Sequence, residues 1–448
     1  MDDLPLPLIL EILSRLTDSA DLARCRLASK TLNALSYEVG SINHLCSMSR
    51  YLKSRSPETK LHVTPFKTIF KDLVSRSRFL ESVSIGVDKS LSGVSFDDLE
   101  DESNDLYLTD FRFMKEWLPI IGEGLRSLSI SDFWVQSCWR RSEALSLISS
   151  YCLSLIKLEI KNAWLSVDGL CPMPTLTSLT LEFVRLDDED LSKINNCFPS
   201  LRDLNLIGVG GLREPKIHLL HLRTCQWSVS NAPLSLTISA PNLVILKLNC
   251  IKPRSILLET PSLSDFYLSL ENADEFKLTI SPSLKCLQLE SFNLVSLFSM
   301  FNYGETIEKL TLDSFRRTEF VEVTNFSLEK LFDSFPNLSN ISLGPGAWSD
   351  AEASFRTGGL NDRTGMKALK EFVAHLVIYE FEFTLLFIFS ILDKCPKLLD
   401  MSLLIPHEVD SYVASNLMSR CRDEFSRVRW RWGIWKEGTE DTWIFDGI

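Results

Sequence analysis

One cadence of apolar and polar positions recurs along most of the chain: apolar, two variable, apolar, one variable, apolar. It runs through Leu80-x-x-Val83-x-Ile85, Leu125-x-x-Leu128-x-Ile130, Leu155-x-x-Leu158-x-Ile160, Leu176-x-x-Leu179-x-Leu181 and Leu201-x-x-Leu204-x-Leu206. It continues as Leu243/Leu246/Leu248, Leu263/Phe266/Leu268, Leu284/Leu287/Leu289, Ile307/Leu310/Leu312, Leu338/Ile341/Leu343 and Leu398/Met401/Leu403. Degenerate copies sit at Leu222/Cys225/Trp227 and Leu369/Phe372. The last two apolar positions of each copy are two apart, so both point to one face of a short strand. The first comes from the turn entering the strand and faces the same core. Amphipathic helices also carry leucine runs. The strict alternation and the prolines at the entries (Pro199, Pro241, Pro261, Pro282, Pro336, Pro396) favour strands.

Between Leu176 and Leu284 the first leucines fall 20 to 25 residues apart, which is leucine-rich-repeat spacing. One coil cannot bury these side chains alone, whereas stacked coils build a continuous core and a parallel sheet. The fold class expected is α/β: a leucine-rich-repeat solenoid with a parallel sheet on its concave face. Mixed helices and extended segments cover the convex face. Ser142 to Cys152, Asp188 to Cys197, Ser327 to Phe335 and Phe383 to Cys395 have helical patterns, and Ser255 to Glu259 reads as a second, extended segment. Asp187 and Asp188 suit a helix start, where carboxylates meet free amides.

Residues alternating with the buried leucines line the other side of the sheet, and solenoids commonly bind there. The candidate substrate-binding set is Asp203, Asn205, Lys247, Asp265, Tyr267, Gln288, Glu290, Lys309 and Asp313. Tyr267 is its aromatic member, a favoured anchor type. Acids outnumber bases from Asp265 onward, so a basic or polar protein segment is the expected guest.

Two insertions and a tail interrupt the cadence. Phe96 to Asp110 carries seven acids and no base, and reads as a solvated loop. Gly344 to Gly365, rich in Gly, Ser, Asp and Asn, reads as a loop between array and tail. In the tail, the period-two run Arg427 to Trp432 and the segment Trp443-Ile444-Phe445 suggest a hairpin across a turn at Gly438. An uncovered terminal coil would invite aggregation, so such a cap is expected.

The formal charge of -12 disfavours a phosphate backbone as partner, so no nucleic acid is expected. The run Phe383 to Leu392 is far shorter than the roughly 20 apolar residues a bilayer needs, so no membrane partner is expected. Met1-Asp2-Asp3-Leu4-Pro5 has no basic stretch, so a secretory signal is not expected. Eleven scattered cysteines without a Cys-x-x-Cys suit a reducing compartment, cytoplasm or nucleus. Gly208-Val209-Gly210-Gly211 lacks the Lys and Ser/Thr of a phosphate loop, and no Gly-x-Ser-x-Gly occurs. His218 and His221 could share a helix face, but no third ligand is suggested. The expectation is no metal, no cofactor and no catalytic set.

Residues 4 to 40 stand outside the repeat. Leu8/Ile9, Ile12/Leu13 and Leu16 fall on one helical face after prolines suited to a helix start. Thr17-Asp18-Ser19 is a cap-rich break, and Ser29 can cap a third short helix carrying Leu32 and Leu35. Three such helices make too small a core to stand alone, and their apolar faces suggest a partner surface.

The segment Leu4-Pro5-x-x-Leu8-Ile9-x-x-Ile12-Leu13-Ser14-x-Leu16, followed by Asp21 to Arg26 and Ala28-Ser29-Lys30, resembles an F-box. Leu8 stands where the family often has an acid, and Leu32 where it has a tryptophan. The whole chain is similar to plant F-box/leucine-rich-repeat proteins, with an FBD-type C-terminal region. The resemblance implies a substrate-receptor subunit of an SCF-type cullin-RING ubiquitin ligase. Leu4, Pro5, Leu8, Ile9, Ile12, Leu13 and Leu16 would bind a Skp-type adaptor, which brings cullin and RING subunits, while the repeats bind a protein substrate. The alternative is a repeat protein-interaction scaffold with a vestigial or non-ligase F-box. Some relatives are implied to hold a polyanionic inositol phosphate; the basic stretch from Arg50 to Arg78 is read instead as a solvated linker face. The boundaries expected are 1–45 for the F-box, 46–75 for the basic linker, 76–365 for the solenoid and 366–448 for the FBD-like repeat and cap.

Overall fold

The computed structural model describes residues 4–16, 18–47, 51, 64–87, 104–133, 137, 139–229, 233–250, 253–271, 275–278, 283–301, 304–315, 326–360 and 368–444. The chain divides into two compact units, residues 1–233 with 237–240, and residues 234–236 with 241–448.

The first unit opens with three helices, α1 (Leu6–Ser14), α2 (Ser19–Ala28) and α3 (Lys30–Leu35). Asp18 caps α2 by accepting the Ala20 N–H, and Ser29 caps α3 by accepting the Thr31 N–H. Ile9, Leu13, Leu22, Leu32 and Val39 form their shared core, with Leu16, Cys25 and Leu35 packed against it. Seven parallel strands follow in sheet order: Ser41–Cys46, Ser82–Val87, Ser127–Ser131, Lys157–Lys161, Ser178–Glu182, Asp203–Val209 and Thr224–Val229. Their registers are in phase. Leu158 stands beside Leu128 and Leu179, and Leu204 beside Leu179 and Cys225, so the apolar positions form files across the sheet. These files are fully buried.

In the second unit eight parallel strands run Ile245–Cys250, Asp265–Leu270, Cys286–Ser291, Lys309–Asp313, Asn340–Leu343, Glu371–His375, Asp400–Pro406 and Arg429–Trp435. The short strand Thr442–Ile444 closes this row in antiparallel pairing with Trp432–Ile434, beyond a turn where Gly438 has φ +75°. The tail thus adds coils to the ladder and ends in the expected hairpin; Phe445 lies outside the described residues. The other side of the coils mixes helices (Ala144–Tyr151, Asp188–Cys197, Leu328–Ser334, Phe381–Lys394) with extended pieces such as Ser255–Glu259, paired with Glu275–Leu278. Asp187 and Asp190 cap the Asp188–Cys197 helix reciprocally.

The structure redraws the expected boundaries. The sheet begins at Ser41, inside the segment assigned to the three helices. There, Ile42 and His44 stand beside Val83 and Ile85, so a histidine takes a core position and the cadence is hidden. The segment 46–75 is not simply a solvated linker. Phe66–Arg76 is an amphipathic helix burying Phe66, Phe70, Leu73 and Val74. Its two lysines are paired, Lys71 with Glu116 at 2.6 Å and Lys67 with Asp110 at 4.0 Å, and just beyond it Arg78 pairs with Glu38 at 3.3 Å. Arg50, Lys53, Arg55 and Lys60 lie outside the described residues.

The acidic insertion also departs from a solvated loop at its described end. Asp105 is buried and accepts the N–H groups of Phe66 (2.8 Å) and Lys67 (3.2 Å), while Asp110 caps the helix Phe111–Ile121. Residues 96–103 lie outside the described residues. Much of the expected loop Gly344–Gly365 is the helix Pro345–Gly358, which buries Ala347, Trp348 and Ala351. His218 ends the strand Lys216–His218, so the spacing to His221 does not describe a helix face.

Candidate functional site

The adaptor-binding set on α1 divides into two faces. Ile9 and Leu13 are 2% and 1% exposed and hold the three helices together, so they are not surface residues. Leu16 is half-buried against the same core. Leu4, Leu8 and Ile12 point outward, at 40%, 53% and 44% exposure, joined by Leu6 at 56%. Pro5 precedes the helix as its N-cap. The expected single face is corrected for a geometric reason: Ile9 and Leu13 are four apart, as are Leu8 and Ile12, but the two rows are about 100° apart around the axis. Leu6 extends the apolar surface and was missed by motif reading, and Leu27 of α2 is a further apolar residue at 90% exposure; their signal is exposure, not pattern.

On the outer face of the sheet in residues 241–448, neighbouring strands bring the candidate side chains into rows. Ile245, Asp265, Cys286 and Lys309 share one row; Lys247, Tyr267, Gln288 and Thr311 share the next. Both rows line an open depression of ≈320 Å³. Ile245 and Cys286 were not among the expected residues, although their strand parity matches that of Lys247 and Gln288.

The electrostatics are built from the inside. The Tyr267 hydroxyl donates to Glu290 Oε2 at 2.8 Å. Burial, followed by that carboxylate, pushes the phenol up to about 12. Glu290 stands beside Asp313 in the next row. Asp313 accepts the backbone N–H groups of Ser314 and Gly346 at 2.9 Å each and of Ala347 at 3.3 Å. Burial raises its carboxyl above the usual range, against the pull of those amides. Its Oδ1 therefore holds the Pro345–Gly358 helix start, a structural role that the sequence pattern does not indicate. Asp265 accepts from the Ser264 hydroxyl.

In residues 1–233, Asp203 and Asn205 face outward from their strand, and Asn205 donates to Thr180 Oγ1 at 3.1 Å. Nearby, Lys161 bridges Glu159 (3.0 Å) on its own strand and Glu182 (2.9 Å) on the next. The buried thiols of Cys152, Cys225, Cys395 and Cys421 are pushed up to about 12 by burial, so they pack as apolar groups. Among the described residues no group of three or more His, Cys, Asp or Glu side chains is arranged to hold a metal, and no helix is long and apolar enough to cross a membrane.

Comparison with known proteins agrees with this architecture. A family profile described as F-box-like matches residues 1–42. An F-box/LRR-repeat protein of Arabidopsis thaliana is 53% identical over 452 residues, covering 99% of this chain and 100% of that protein. A three-helix N-terminal unit matching the F-box profile, a ladder of leucine-lined parallel strands and near-full-length similarity together establish that the chain belongs to the F-box/LRR-repeat family.

Proposed function

We propose that this chain is the substrate-receptor subunit of an SCF-type cullin-RING ubiquitin ligase. The observation that carries the reading is the outward apolar row of Leu4, Leu8 and Ile12 on a three-helix unit fused to a repeat array. That row is the surface for a Skp-type adaptor, with Leu6 at its edge. Each aliphatic side chain fully covered there would contribute roughly 1.5–3 kcal/mol. The repeats hold the protein substrate on the outer sheet face, around Lys247, Tyr267, Gln288, Glu290 and Lys309, with Asp203 and Asn205 on the corresponding face of residues 1–233. Residues from 366 are the FBD-type region. Ubiquitin transfer takes place on other subunits, and this chain contributes proximity by raising the local concentration of substrate.

The test is co-purification with a Skp-type adaptor of wild type and of the pair Leu8→Asp with Ile12→Asp. The pair should lose the adaptor while its melting curve is unchanged. Wild-type protein that captures no adaptor would overturn the receptor reading and leave a repeat scaffold in its place.

A further inference from the structure

The charges on the outer face of residues 241–448 are unequally engaged. Each described carboxylate among the outward strand positions already has a donor in the chain. Glu290 has Tyr267, Asp313 has the amides of residues 314, 346 and 347, and Asp265 has Ser264. Glu371 accepts from Asn340, and Asp400 pairs with Arg429. The cations differ. Lys247 and Lys309 are exposed, line the depression, and have no carboxylate within salt-bridge distance among the described residues. Arg431, also exposed, continues the row of Lys247 across the sheet and is likewise unpaired among the described residues.

This asymmetry decides the sign of the guest. A cationic group would have to compete for carboxylates with a phenol, a hydroxyl or backbone amides already in place. An anionic group meets ammonium groups that no carboxylate engages among the described residues. We propose that the depression receives an extended peptide carrying anionic side chains, carboxylate or phosphoryl, paired with Lys247 and Lys309. This names the substrate chemistry of the receptor described above and rests on that reading. It reverses the basic guest expected from the count of acids, because the count ignores which acids are already engaged.

The geometry sets a spacing. Lys247 and Lys309 lie on strands separated by two others and in adjacent rows two residues apart along the strand, so their backbones are about 16 Å apart at roughly 4.8 Å per strand and 3.4 Å per residue. An extended chain advances roughly 3.4 Å per residue, so anionic residues about four apart would reach both lysines. The three residues between them would cross Tyr267 and Gln288, whose amide supplies a donor and an acceptor.

The experiment uses the full chain and fluorescence anisotropy at low salt. The probes are synthetic extended peptides of one length bearing two Glu four apart, two Gln, two Lys or two phosphoserines. A second protein carries Lys247→Glu and Lys309→Glu. Both lysines are exposed and touch no core, so the variant should fold. The Glu peptide should bind wild type about tenfold more tightly than the Gln peptide, weaken with rising salt, and lose its advantage on the variant. Phosphoserine binding more tightly than Glu assigns the anion to phosphoryl, and equal binding assigns it to carboxylate; both support the site. The inference is overturned if the Lys peptide binds wild type as well as the Glu peptide does, if the variant keeps the Glu preference, or if no peptide binds. Adaptor co-purification on the same preparation separates the two claims. Adaptor capture without acidic-peptide binding sinks only the pocket chemistry, whereas acidic-peptide binding without adaptor capture sinks only the receptor reading.

Discussion

Asp313, the last residue of one sheet strand, accepts the backbone N–H of Gly346 at 2.9 Å and so fixes the first turn of the next coil's helix. The approach is close enough to exclude a side chain: a Cβ on Gly346 would lie 2.1 Å from the Ser314 carbonyl oxygen. Asp313→Ala should therefore destabilise the chain by about 1–2 kcal/mol through loss of the cap. Gly346→Ala should cost more, because the backbone itself must move. Urea denaturation of the two variants checks both the sign and the order.

The two faces of α1 predict opposite phenotypes. Leu13→Ala opens a cavity in the three-helix core and should cost about 2–5 kcal/mol of local stability, read as a lowered first melting transition. Ile12→Ala should leave that transition within about 0.5 kcal/mol, as surface changes do. Adaptor capture at low temperature should show the reverse order. Equal effects of the two variants on melting would contradict the division of the helix.

His44 predicts an acid-sensitive window. Burial, partly offset by Asp18 and a backbone contact at Phe66, lowers its pKa from 6.5 to about 4. Between those values the unfolded chain binds a proton that the folded chain refuses. Stability from this residue is therefore complete above pH 6.5 and falls as the pH drops toward 4, by at most about 3 kcal/mol. His44→Leu, which restores the residue type common at core positions of the other strands, should flatten the melting temperature across that window. A wild-type melting temperature unchanged from pH 7 to 4.5 would count against the assignment.

Removal of residues 437–448 takes away the strand that covers Trp432–Ile434. The exposed edge of Arg429–Trp435 would then offer free backbone groups to a second copy. Light scattering should show concentration-dependent self-association of the truncated chain and none of the full one.

The strand ladder was legible because its period is strict: from Leu176 to Leu289 each inward position is Leu, Phe, Trp or Cys at two-residue spacing, and each is buried. Misreadings arose where composition outweighed periodicity. Pro345–Gly358 is rich in Gly and Ser, yet Ala347, Trp348, Ala351 and Phe355 keep helical spacing, and Pro345 sits in the first turn where its missing N–H costs nothing. Asp105 looked like one acid of a solvated run, because only folding brings it to the start of Phe66–Arg76 and its free amides. On α1 the motif identified the right helix but not which of its rows the chain keeps for itself. Along the outer sheet face the sequence shows the charges but not their hydrogen-bond partners, such as Tyr267 on Glu290, because only the folded register brings these together.

The contact of His44 with Ser19 at 3.0 Å, and its ring stacked 4.2 Å from Phe66, tie α2 to the first coil through one side chain. Tyr37 adds a backbone link, its carbonyl accepting the Arg78 N–H at 3.0 Å. The three-helix unit is thus no bead on a string: the first coil inherits its orientation as an arm inherits that of a shoulder. For a ligase receptor, that makes the joint a matter of aim. In the receptor role proposed above, loosening it at His44 would leave the adaptor surface intact and blur the direction in which the first coil is held.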